Sequence, residues 1–260
     1  MSETLHVERK GPVLEVVLDR PKANAINAAT SREMGKLFAD FRDDPKLRVA
    51  IVTGTGRFFC AGWDLKAAAD GEPPDADYGP GGFAGIQTLP GLNKPVIAAV
   101  NGMAVGGGFE LALSADLILA AETARFSLPE ITAGTLADAA TVKLLRRIPY
   151  HVAMDLLLTG RWMEAEEASR WGLLREVTSE GDLLPRAREL AALLADGPPL
   201  VFAAIKEVVR ETQTLSFEDA MGRIMRRAFP TVGALYGSSD QLEGARAFAE
   251  KRKPRWTGTY

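Results

Sequence analysis

Apolar and polar positions along the chain change their spacing repeatedly. Short apolar or β-branched runs at residues 13–18, 49–53, 95–100 and 117–121 read as strands. The second and third are continuous enough to be covered on both faces. Between the first two, Met34, Leu37, Phe38 and Phe41 stand at i, i+3, i+4 and i+7. That spacing predicts an amphipathic helix over about 30–43, stopped by Arg42-Asp43-Asp44-Pro45. Gly106-Gly107-Gly108 leads into a helix at 109–113. Strand and helix periods alternating in this way define an α/β protein.

The texture changes after residue 138. Helical spacing dominates, at about 138–147, 150–158, 164–171, 182–195, 199–212, 216–228 and 238–251, interrupted by a short apolar piece at 173–177. An α/β core followed by a helical C-terminal region is expected, with the division between 197 and 198. Apolar helix faces need a partner, and self-association is the natural outlet.

A weak internal echo runs through the core. Val49–Gly54 precedes Ala61-Gly62-Trp63-Asp64-Leu65, and 96–100 precedes Gly102 and Gly106-Gly107-Gly108-Phe109-Glu110-Leu111. Each time an apolar strand gives way to glycines and a helix start. The stretch from Asp70 to Pro90 is crowded with Gly, Pro and Asp, which inside a compact domain marks a functional or mobile loop.

Composition narrows the function classes. The chain has 260 residues, 47% of them hydrophobic, enough for one large core or a core with an appendage. A net charge of −3 gives no electrostatic case for nucleic acid or an anionic membrane. The N-terminus lacks an apolar stretch behind a basic start, and no run of about 18 apolar residues occurs, so a cytoplasmic protein is expected. The single cysteine, Cys60, excludes an internal disulfide and cysteine-rich zinc sites, and its apolar surroundings read as a small buried hydrophobe. With His6 and His151 as the two histidines, a Ser-His-Asp site or a histidine-rich metal centre has little raw material.

The two glycine turns carry the candidate chemistry. Glycine lets a ligand approach the backbone closely, and a helix N-terminus presents unpaired N–H groups. Two such turns facing each other would give converging donors for an enolate or oxyanion. Either cluster alone reads equally well as a tight turn. A dinucleotide loop is disfavoured, because the Gly-x-Gly-x-x-Gly spacing is absent after Val100.

Here the residues resemble a known family. Phe58-Phe59-Cys60-Ala61-Gly62-Trp63-Asp64-Leu65-Lys66 is similar to the first oxyanion segment of the crotonase (enoyl-CoA hydratase/isomerase) superfamily. Residues 94–102 through Gly106-Gly107-Gly108-Phe109-Glu110-Leu111-Ala112 are similar to its second. The resemblance runs from Asp19-Arg20-Pro21 to Phe248-Ala249-Glu250-Lys251-Arg252. Within the family, residues 20–26 and the loop 75–85 look like a subgroup that handles carnitine-type acyl groups.

The resemblance implies a spiral of repeated ββα units over residues 1–197 and a helical trimerisation region over 198–260. It implies that the amides of Trp63 and Gly107 hold a thioester oxygen, and that Glu110 and Glu130 act across a water. Glu110 would be the base toward the water attacking the β-carbon, and Glu130 would protonate the α-carbon. Read without the resemblance, Glu110 is a capping carboxylate in the first turn of its helix and Glu130 a solvated loop residue after Pro129. Coenzyme A contacts are expected from Lys66, from Lys251 (often supplied by a neighbouring subunit), and from the backbone near Ala23, Ala61, Asp64 and Leu65. Both lysines also read as solvated surface side chains. No metal or redox cofactor is implied, and a homotrimer or dimer of trimers is expected.

The chain departs from the family after Glu130. Ala137 stands where proline is usual, and Ala140-Thr141 replace two glycines. Asp138 adds a carboxylate near the expected acyl pocket, and its local reading is the N-cap of the following helix. A trimethylammonium group would call for an aromatic cage, for which Trp63, Tyr78, Phe83 and Trp162 are candidates, with core packing the plainer reading of Trp162. The expected activity is reversible hydration of a 2-enoyl-CoA or dehydration of a 3-hydroxyacyl-CoA. The alternatives are another acyl-CoA reaction of the family, such as isomerisation, hydrolysis, decarboxylation or dehalogenation, or acyl-CoA binding without turnover.

Overall fold

The computed structural model describes residues 4–259, which divide into two compact units: 4–92 with 96–191, and 93–95 with 192–259. The boundary falls six residues before the division expected at 197/198.

The first unit opens with an antiparallel hairpin, β1 (Leu5–Lys10) and β2 (Val13–Leu18), followed by helix α1 (Ala28–Asp43). Asn27 caps α1 by accepting from the Thr30 N–H, and Met34, Phe38 and Phe41 carry its buried face, as the spacing predicts. Three strand–strand–helix units follow in order: β3 (Val49–Gly54), β4 (Phe58–Cys60), α2 (Leu65–Ala69); β5 (Val96–Val100), β6 (Met103–Val105), α3 (Gly107–Ser114); β7 (Leu117–Ala121), β8 (Arg125–Ser127), α4 (Glu130–Ala133). The unit ends with α5 (Asp138–Lys143), a 3₁₀ turn at Leu144–Arg146, α6 (Tyr150–Thr159), β9 (Met163–Glu164), α7 (Ala165–Arg170), β10 (Glu176–Thr178) and α8 (Glu180–Ala195), whose last turn crosses the boundary.

Each unit's first strand joins a six-stranded sheet of order β1-β2-β3-β5-β7-β10. Each second strand joins a four-stranded sheet of order β4-β6-β8-β9. Successive units are in parallel register, so the chain climbs as a spiral. Asn101 links neighbouring corners, accepting from the Gly54 N–H and donating to Gly56 O. β3 and β5 are buried on both faces, as their continuous apolar runs predict. The mixed α/β class and the helical C-terminal region are borne out.

The second unit is helical: α9 (Pro199–Glu211), α10 (Phe217–Met225), α11 (Pro230–Gly237) and α12 (Asp240–Ala249). Ala204, Phe229 and Val232 form its small core. Ile205, Val209, Phe217, Met225 and Phe248 remain exposed. The helices expected at 216–228 and 238–251 are shorter than predicted, and α11 was not foreseen. No helix among the described residues is long and apolar enough to cross a membrane.

Candidate active site

The site lies in the first unit, where the starts of α2, α3, α4 and α5 meet the loop 74–87. Gly62 precedes the α2 turn with φ +81, and Ile26 pairs with Trp63 in an isolated parallel bridge. That bridge uses Gly62 O and the Asp64 N–H, at 2.7 and 2.9 Å, and leaves the Trp63 N–H out of it. Gly107 heads α3, where the first amides have no partner within the helix. The two segments touch: a Cβ on Gly62 would lie 2.8 Å from the Gly107 nitrogen and 2.6 Å from Val105 O. The two glycine turns are therefore one structure.

Glu110 sits in the first turn of α3 and is buried. Its Oε1 accepts from the Ala140 N–H at 2.8 Å, and its Oε2 accepts from Gln87 Nε2 at 3.0 Å. Burial pushes its pKa up, the two donors pull it back, and the Asp138 charge adds to the rise. The reading of Glu110 as a cap of its own helix is corrected: its carboxylate binds the start of α5 instead.

Glu130 opens α4, and its Oε2 is buried with no hydrogen-bond partner. The carboxylate lies against α3, since a Cβ on Gly106 would meet its Oε1 at 2.6 Å. Burial pushes its pKa up to about 7; its own backbone N–H opposes the rise, and the charges of Glu110 and Asp138 add to it. The solvated-loop reading of Glu130 is corrected by that buried oxygen. An acid holding its proton thus lies near one fixed by two donors, the separation of roles an acid–base pair needs.

Trp63, Pro74, Tyr78, Phe83, Gln87, Gly107, Glu110, Glu130, Thr135, Leu136 and Asp138 line a cavity of about 110 Å³. Tyr78 and Phe83 meet edge to face at 5.4 Å, and the Phe83 ring lies directly over Gly107. Three of the four aromatic candidates therefore converge. Trp162 does not: it is 37% exposed, beneath the Arg125 guanidinium at 4.8 Å, which corrects its core reading. Asp138 is the first residue of α5 and not its cap, a position held by Ala137.

The expected coenzyme A contacts are distributed. Ala23 and Ala61 are joined by a 3.0 Å bond from the Ala61 N–H to Ala23 O. Asp64 caps α2, accepts from the Lys66 N–H and pairs with Arg20 at 2.6 Å. Burial raises the Asp64 pKa, but Arg20 and the Lys66 amide hold it below the usual range. Leu65 and Lys66 are exposed beside them. Lys251 belongs to the second unit, just past α12, with a left-handed φ of 51°. Cys60 is buried, its thiol pushed up to about 12.

Gln87 and Lys143 were not singled out from the sequence. The sequence carries no signal for Gln87 beyond a polar amide after Ile86. Among the described residues, no group of three or more His, Cys, Asp and Glu is arranged to hold a metal ion.

The chain belongs to the enoyl-CoA hydratase/isomerase family, whose pattern it matches over residues 8–259. It is 54% identical to a carnitinyl-CoA dehydratase of Proteus mirabilis and 56% identical to one of Salmonella arizonae, in each case over 99% of this chain and 100% of the relative. Its fold matches the crystal structure of an enoyl-CoA hydratase from Mycobacterium tuberculosis (TM-score 0.90, 40% identity, covering 99% of this chain and 100% of that one). It also matches that of a carnitinyl-CoA hydratase from Mycobacterium avium (TM-score 0.75, 39% identity, covering 99% of each chain).

Proposed function

We propose that this protein adds water reversibly to a 2-enoyl-CoA thioester, with an acyl group of the carnitine type. The observation that carries the reading is the contact of the Gly62 turn with the Gly107 amide, beside two carboxyl groups, Glu110 held by two donors and Glu130 with a buried oxygen that has no partner.

In hydration the thioester oxygen accepts from the Trp63 and Gly107 N–H groups, which makes the β-carbon electrophilic. Glu110 takes a proton from water as the water oxygen bonds to that carbon. The displaced electron pair collects as an enolate on the oxygen held by the two amides. It returns to the α-carbon as Glu130 gives up its proton there. Dehydration reverses each step, and the reaction draws on no metal or redox cofactor.

The names of the relatives support the carnitine-type acyl group, as do the rings of Trp63, Tyr78 and Phe83 around a cavity that Asp138 also lines. Exposed apolar side chains on α9, α10 and α12 support self-association, which we read as a trimer or dimer of trimers with Lys251 of each copy serving a coenzyme A phosphate.

The test is loss of enoyl absorbance with crotonyl-CoA and with the dehydration product of carnitinyl-CoA. Glu110→Ala and Glu130→Ala should each lower kcat by a factor of about 100 or more. Full activity in both variants would end the two-carboxylate reading. Tight acyl-CoA binding without turnover would establish a binding protein.

A further inference from the structure

Lys143 is a half-buried cation that the reaction above does not use. It lies on α5, one turn beyond Ala140, whose N–H holds Glu110 Oε1. Its ammonium group donates to Ser114 Oγ at 2.7 Å and to the Gln87 carbonyl at 3.2 Å. Ser114 lies on α3 one turn beyond Glu110 and donates its hydroxyl to the Glu110 carbonyl. Gln87 returns its side-chain amide to Glu110 Oε2. Three segments that each touch Glu110 thus meet at one ammonium group.

We propose that Lys143 is a positioning residue for Glu110: it locks the Gln87 segment, α3 and α5 together and sets a positive charge near the Glu110 carboxylate. This rests on the hydratase reading.

Burying a cation is costly unless something compensates. Burial and the nearby Arg147 lower the Lys143 pKa to about 8, and the negative charge of Glu110 opposes that fall. Lys143 therefore remains mostly protonated at neutral pH. The charged groups facing Glu110 are Lys143 and Asp138 from α5 and Glu130 from α4. Strands β4 and β6 and the turn 83–85, which also pack on α3, contribute no charged side chain; Cys60 there is a neutral thiol. Lys143, with Arg147 beyond it bonded to the Leu113 carbonyl of α3, opposes these two acidic neighbours. Lys143 is not among the residues that line the cavity and reaches it only through the Gln87 backbone, so it acts through Glu110 and not on the substrate.

The experiment compares Lys143→Met and Lys143→Arg with the unmodified enzyme and Glu110→Ala, measuring kcat, KM and the pH profile of kcat/KM on crotonyl-CoA. Lys143→Met should lose kcat by about 10- to 100-fold. Its KM should stay within about twofold, because the residue does not touch the thioester. The acid limb of its profile should move to higher pH, since the Glu110 carboxylate loses its cation. Lys143→Arg should return the limb to its original position and recover part of kcat. Unchanged kcat and limb in the Met variant would overturn the proposal, as would equal losses in both variants with the limb unmoved. If Lys143→Met does not fold, Ser114→Ala, which loosens the ammonium without removing it, decides: a smaller kcat loss with a smaller limb movement in the same direction is expected, and an unmoved limb overturns the proposal. Failure of the unmodified enzyme to hydrate, or full activity in Glu110→Ala, would instead refute the hydratase reading.

Discussion

The α-carbon of Gly62 faces the amide nitrogen of Gly107 with no room between them for a methyl group. A Cβ there would stand 2.6 Å from Val105 O and 2.8 Å from Gly107 N, at a residue whose φ is +81°. Both near atoms are backbone, so the clash has no flexible side chain to relieve it. Gly62→Ala should separate the Trp63 and Gly107 amides. Because loss of one oxyanion donor costs about 3 kcal/mol of transition-state stabilisation, kcat should fall at least about 100-fold. The left-handed backbone should lower stability by roughly 1–3 kcal/mol as well. Steady-state kinetics and a denaturant melt check both, and an active, equally stable variant would contradict the close contact.

Glu130 should destabilise the fold that houses it. Its pKa is raised from an ordinary 4.5 to about 7 by burial, so the folded state resists its ionisation. The penalty is absent below pH 4.5, grows as pH rises, and is complete above about 7. Allowing for solvent at the cleft, it amounts to about 2 kcal/mol. Glu130→Gln, which keeps the shape without the charge, should therefore melt at higher temperature than the parent at pH 8 and at the same temperature near pH 4.5. Such a gain alongside lost activity is the usual trade at a catalytic carboxylate. Equal melting at both pH values would show that Glu130 ionises freely.

In the proposed mechanism the two carboxylates share one proton in either direction: hydration would start with it on Glu130 and end with it on Glu110, and dehydration would do the opposite. Adding water consumes no net proton, so the ratio of the two kcat/KM values is fixed by an equilibrium constant that pH does not alter. Both directions should therefore show the same bell-shaped profile, with an alkaline limb near 7 as the raised acid titrates. Profiles displaced from each other would mean that a different group sets the limb in one direction.

Legibility in the sequence followed element length and chain separation. β3 and β5 announced themselves because four and five consecutive apolar residues, respectively, are buried on both faces. The second sheet stayed hidden because β4, β6 and β8 have three residues each, too few to show a period. α11 was missed because Pro230, Gly233 and Gly237 dilute its apolar stripe. Trp162 misled because its size suggests burial, whereas it flanks β9 at the edge of a sheet. Trp63, Gly107, Glu110 and Glu130 are candidates that family motifs point to. Gln87, 23 positions from Glu110, belongs to no such motif. Only folding brings that amide to the carboxylate.

Asp138 offers a way to separate the acyl preference from the general chemistry. It lines the cavity with Trp63, Tyr78 and Phe83, so a cationic acyl group would meet three aromatic rings and a negative charge. The same charge also raises the pKa values of Glu110 and Glu130, so Asp138→Asn should alter turnover of every substrate through the catalytic pair. That common effect cancels in a ratio. The kcat/KM for the trimethylammonium-bearing thioester divided by that for crotonyl-CoA should fall about two- to fivefold in Asp138→Asn, the worth of a solvent-exposed charge pair. Tyr78→Leu, which removes a ring and leaves the charges in place, should lower the same ratio by up to about tenfold. If neither ratio moves while both variants still hydrate crotonyl-CoA, the acyl group is uncharged, and the rings serve only to exclude water from the carboxylates.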